Sequence, residues 1–99
     1  MNFRISKRAR RQVEKIQAWW LEHRPSAHGL FLEELAAAEK QLRAVPELGS
    51  IYSEHPTGVV RRVLLPRTRH HLYYRYQPRC DELTVLAIWG TPKGRAPKL

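Results

Sequence analysis

The stretch Arg61–Gln77, "RRVLLPRTRHHLYYRYQ", decides the fold, because its side chains alternate with a period of two. Val59, Arg61, Val63 and Leu65 fall on one side and Val60, Arg62 and Leu64 on the other. That pattern predicts a strand over residues 59–65, which Pro66 ends because proline has no N–H to give a ladder. A second strand follows over 70–77, with Leu72, Tyr74 and Tyr76 opposing His71, Tyr73 and Arg75. We assign Leu64, Leu72, Tyr74 and Tyr76 to packing. Arg62, Arg67 and Arg69 gather around the Pro66 turn as a cationic rim.

Working outward, residues 82–89 ("ELTVLAIW") are apolar at both parities, as in a central strand buried on each side. "QPRCDE" between this strand and the previous one reads as a hairpin loop, Pro78 and Asp81 being turn formers. Upstream the period becomes helical. Ser6 is placed to cap a helix over 7–24 whose stripe is Ala9, Val13, Ile16 and Trp20, and Trp19, next to that stripe, is left part-exposed. A second helix over 26–45, with Ser26 as its cap, carries Phe31, Leu35, Ala38, Leu42 and Val45 and stops at Pro46 and Gly49. A short strand over 1–5 precedes them, and residues 90–99 form a basic tail expected to be mobile without a partner. The expected class is α+β: strand, helical hairpin, then three strands in a small antiparallel-rich sheet, with both helices packed on one face.

Ninety-nine residues suffice for one modest core, so one domain over 1–99 is expected. No apolar run is long enough to cross a membrane and no secretory leader is apparent. With the single Cys80, this leads us to expect a cytoplasmic protein with no disulfide. The net charge is +9, and it is unevenly spread. Residues 1–54 hold nine Lys/Arg against seven Asp/Glu, whereas residues 55–99 hold nine against only Asp81 and Glu82. A basic second half favours an acidic or polyanionic partner. His23, His28, His55, His70 and His71 show no metal-ligand spacing, and no phosphate-cradling glycine loop occurs, so neither metal nor cofactor is expected.

The order of elements, with "VPELG" closing the second helix, "RVLL", "LYYRY" and "LAIWG" in the strands and a basic carboxyl end, resembles the RelE/ParE superfamily of type II toxin–antitoxin toxins, closest to ParE-like members. The resemblance implies a growth-arresting protein held in a hetero-oligomer by a small acidic antitoxin. ParE-like members bind and poison DNA gyrase without hydrolysing anything. RelE-like members cut mRNA in the ribosome, which requires cations for the phosphate, a base for the 2′-OH and an acid for the leaving oxygen. Under that alternative the residues would be Arg62, Arg69, His71, Tyr74 and Arg95.

Where many nuclease-type relatives carry a His, Tyr or Arg, this chain has Gly90, which cannot donate a proton. The leading expectation is therefore a gyrase-binding toxin with no catalytic residues. Trp19, Arg62, Arg67, Arg69, Trp89, Lys93 and Arg95 are its candidate target- or antitoxin-binding residues. A homologue that keeps only antitoxin binding is a further alternative.

Overall fold

The computed structural model describes residues 1–90; the tail from Thr91, with Lys93 and Arg95, lies outside them. The elements run β1 (Asn2–Ile5), α1 (Lys7–His23), a 3-10 turn (Pro25–Ala27), α2 (Leu30–Ala44), β2 (Ser50–His55), β3 (Gly58–Leu65), β4 (His70–Gln77) and β5 (Glu82–Gly90). They form one five-stranded sheet in the order β1-β5-β4-β3-β2. β1 lies parallel to β5 and the other three pairings are antiparallel. The class is α+β, with both helices on one face.

The period-two patterns account for the layers. Leu65, Leu72, Tyr74, Leu83, Val85 and Ile88 leave the sheet toward Ala9 of α1 and Phe31, Ala38 and Leu42 of α2, forming the main core. Val13, Ile16 and Trp20 pack against it at half-buried positions. Val60, Tyr73 and Ala87 form a smaller cluster on the opposite face with Tyr52, Leu86 and Trp89. Two polar ties fix α1 to β5. The Ser6 hydroxyl accepts from the Ala9 N–H at 3.1 Å and donates to the Leu86 carbonyl at 3.2 Å, so the helix cap is also a sheet contact. The Gln12 side-chain oxygen accepts the Ile88 N–H at 2.8 Å.

Four expectations need correction. The sheet has an additional strand, β2, at its edge. "SIYSEH" is polar enough on both sides to read as a loop, because an edge strand with one partner buries little and needs no apolar face. Ser26 does not cap α2: Pro25–Ala27 closes a 3-10 turn, and the helix begins at Leu30 after Gly29 with no side-chain cap. Val45 is the C-cap residue of α2 and is exposed rather than part of the buried stripe. Leu64, assigned above to packing, is 50% exposed. It belongs to the uncovered face, and its β4 neighbour His71 does not cover it.

The connection from α2 to β2 is clipped by Tyr74, which is fully buried. Its hydroxyl donates to the Pro46 carbonyl at 2.7 Å and accepts from the Gly49 N–H at 2.9 Å. Gly49 is required by close approach: a Cβ there would lie 2.8 Å from the Arg62 carbonyl oxygen and 2.9 Å from the Tyr74 ring and hydroxyl. Arg61 reinforces the clip, its guanidinium donating to the Gly49 carbonyl at 2.9 Å and the Glu47 carbonyl at 3.3 Å. Burial raises the Tyr74 hydroxyl above the ordinary tyrosine range despite the opposing Gly49 N–H and Arg61 charge, so it remains a neutral donor.

Candidate interaction surface

The residues singled out from sequence fall into three places. Arg62, His71 and Trp89 share the uncovered face. Arg62 is the β4-facing neighbour of Tyr73, and His71 pairs across to Trp89. The Arg62 guanidinium lies over the Tyr52 ring, 5.4 Å from its centroid, and forms no ion pair with a carboxylate among the described residues. The His71 ring stands edge-on to Tyr73 at 6.1 Å. Burial lowers the His71 pKa and the Arg62 charge lowers it further, so this imidazole is neutral at pH 7. Tyr52 was missed from sequence because β2 was missed: Ser50–His55 shows no alternation of apolar and polar residues.

Trp19 and Arg69 meet at a second place, an apolar cavity of about 430 Å³ lined by Ile16, Trp19, Trp20, Thr68, Arg69, His70 and Gly90. Trp19 is 46% exposed, stacked on His23 at 4.6 Å and edge-on to Trp20 at 5.7 Å. Adjacent helix positions diverge, so Trp20 turns to the core while Trp19 stays at the surface. Gly90 pairs with His70 at the end of β5.

Arg67 lies at the third place, a groove of about 380 Å³ between α2 and β3 whose floor includes Ala38, Leu42, Val63 and Leu65. β2 pairs with β3 only from Gly58 to Arg62, so Val63–Leu65 have β4 as their one neighbouring strand. An exposed strand edge beside an apolar groove can accept an extended segment. The turn that carries Arg67 and Arg69 is held by Glu34 of α2. Its carboxylate accepts the Arg67 N–H at 2.7 Å, the Thr68 N–H at 2.9 Å and the Thr68 hydroxyl at 2.6 Å. Arg69 then adopts a φ of 63°, in the left-handed region, and returns its N–H to the Leu65 carbonyl at 2.9 Å.

Glu34 makes a pH prediction. Burial alone would raise its pKa, but the Thr68 hydroxyl, the two N–H groups and the Arg67 charge outweigh it and hold the pKa below 4.5. A depressed folded-state pKa stabilises the fold at pH above about 4.5 and is lost as pH falls through the folded value. Glu34→Gln is expected to cost about 1–2 kcal/mol at pH 7, discounted for partial exposure. The difference from the parent should shrink below pH 4.5, as urea melts at pH 7 and pH 3.5 will show. An equal difference at both pH values would refute the carboxylate clamp.

Tyr74 is not brought to the other nuclease candidates: it sits on the helix-covered face, opposite Arg62 and His71. Arg95 and Lys93 are outside the described residues.

Comparison with known proteins places this architecture. The chain matches the family described as ParE toxin of type II toxin-antitoxin system, parDE, over residues 3–92. Its fold is similar to that of a chain from the chromosomal ParDE TA system from P. aeruginosa, with a TM-score of 0.71 and 21% identity over 91% of this chain and 95% of that one. No curated protein matches it. No helix among the described residues is long and apolar enough to cross a membrane. A match running from β1 past the end of β5 takes in every element above, and the chain belongs to the ParE toxin family of type II toxin–antitoxin systems.

Proposed function

We propose that this chain arrests growth in the cytoplasm by binding DNA gyrase, and that a small acidic antitoxin neutralises it in a hetero-oligomer. The observation that carries the reading is the separation of the proton carriers. Tyr74 is locked by two hydrogen bonds on the covered face, His71 is a neutral imidazole on the other, and Gly90, opposite His70 at the end of β5, has no side chain to donate from. General acid–base cleavage needs both partners within reach of one phosphate, whereas binding needs only surface.

The groove beside Val63–Leu65, rimmed by Arg67, suits an antitoxin segment that adds to the strand edge. The net charge of +9 would speed its association with an acidic chain. Trp19 and Arg69 at the neighbouring cavity, and Arg62 and Trp89 on the open face, remain for gyrase or for the rest of the antitoxin.

The purified protein mixed with gyrase and supercoiled plasmid should trap a cleavage product or abolish supercoiling, and the antitoxin should reverse the effect. Unchanged supercoiling with no trapped product would sink the gyrase reading. Primer extension after induction that found A-site cuts in translated mRNA would replace it with ribosome-dependent cleavage.

A further inference from the structure

The uncovered face carries a second feature, away from the Arg62–His71–Trp89 group. A cavity of about 510 Å³ reaches from the start of α1 across β5, β4 and β3 to the end of β2, lined by Ser6, Arg8, His55, Thr57, Val60, Arg75 and Leu86. Three of these seven are cationic or titratable bases and, among the described residues, no carboxylate lines it. The nearest acid on this face by strand register, Glu82, is already paired with Arg4 at 3.6 Å.

Arg75 is the centre of the argument. It stands opposite Val60 on β3 and Thr84 on β5, and its stem lies along Gly58. Gly58 has a φ of 136°, and a Cβ there would come within 3.2 Å of the Arg75 Cδ, so glycine is needed both for the turn and for the arginine to lie flat. The Arg75 Nε is shielded from solvent and has no hydrogen-bond partner. The packed stem fixes where the guanidinium stands, and a guanidinium so fixed suits an oxyanion.

The helix that opens onto the cavity points the same way. α1 has no acidic residue in its first turn, which instead carries Lys7, Arg8 and Arg10. Cations at the positive end of a helix dipole are unfavourable, and an anion beside them relieves the repulsion.

We propose that this cavity binds the phosphate group of a nucleotide-sized phosphomonoester. Arg75 and Arg8 would supply charge-assisted donors, Thr57 a hydroxyl and His55 an imidazole, while Val60 and Leu86 form an apolar floor for the rest of the ligand. Its volume lies within the range of about 300–1,000 Å³ typical of small-molecule sites and exceeds what an isolated anion needs.

The test is an amide-resolved NMR titration of the full chain at low salt with adenosine monophosphate, inorganic phosphate, adenosine and hexaglutamate. Both phosphates should shift the amides of Gly58, Arg75 and the first turn of α1, the nucleotide at lower concentration than phosphate, and adenosine should not. Arg75→Gln and Arg8→Gln should each weaken the nucleotide by about tenfold or more, the loss of one charge-assisted bond. Arg79→Gln, which removes the same charge on the β4–β5 loop, should change it by less than about twofold. If Arg75→Gln does not fold, the Arg8→Gln comparison decides. The proposal is overturned if neither phosphate shifts these amides, if hexaglutamate does so at lower concentration than the nucleotide, or if Arg79→Gln weakens binding as much as the cavity variants. None of these outcomes depends on gyrase or on the antitoxin.

Discussion

Tyr74→Phe is expected to destabilise the protein by roughly 2–4 kcal/mol, since one hydroxyl satisfies two main-chain groups in a buried place. Without it the Gly49 N–H and the Pro46 carbonyl both lose their partner. Phenylalanine cannot replace those bonds, and it leaves a donor and an acceptor facing its ring. For a chain of this size the loss corresponds to a fall in Tm of very roughly 10–25 °C. Calorimetry checks it, with Tyr76→Phe as the contrast, because the Tyr76 hydroxyl meets the exposed Asp81 carboxylate at the surface. The same pair of variants bears on mechanism. If Tyr74 were a general acid, its phenylalanine variant would lose activity and keep its stability; a Tm within about 3 °C of the parent would defeat the clip described above.

The second large effect concerns Trp19. We expect Trp19→Ala to weaken binding of a protein partner by about 2–4 kcal/mol, or roughly thirtyfold to a thousandfold, as is usual for a buried interface tryptophan. Trp19 presents nearly half its surface to solvent, is held in orientation by His23 and Trp20, and borders the same apolar cavity as Arg69. A rigid aromatic beside a cation suits an acidic chain carrying apolar anchors. Stability should change little, by under about 1 kcal/mol, because the side chain contributes to no buried cluster. Affinities for the antitoxin and for gyrase, measured separately, assign the surface: loss toward one names its partner, and no loss toward either removes Trp19 from the interface.

How far the site was legible can be read from single positions. Parity set Arg62 on one side of its strand and His71 on one side of the next, but only the strand register brings them and Trp89 to one face. Tyr74 was assigned to packing by the same parity, yet it also appeared among the nuclease candidates. Its hydroxyl's partners, Pro46 and Gly49, are more than twenty residues away and follow no local period. Arg75 and Arg8 were overlooked for a related reason. Neither position carries a local signal, and only the start of α1, where Ser6 meets Leu86 of β5, brings the two to one cavity. Glu34 carries no periodic signal, yet it anchors a turn more than thirty residues further on.

The sequence by itself determined the layer architecture, the helix-covered face and the divergence of Trp19 from Trp20, because hydrophobic periodicity is a local property that burial must satisfy. It did not reveal β2, the exposure of Leu64, the Tyr74 clip or the Arg75 cavity. Those depend on which strand lies at an edge and on where distant loops return. Only the tertiary structure decides that, since an edge strand buries too little to leave a pattern and a polar contact between distant segments leaves none.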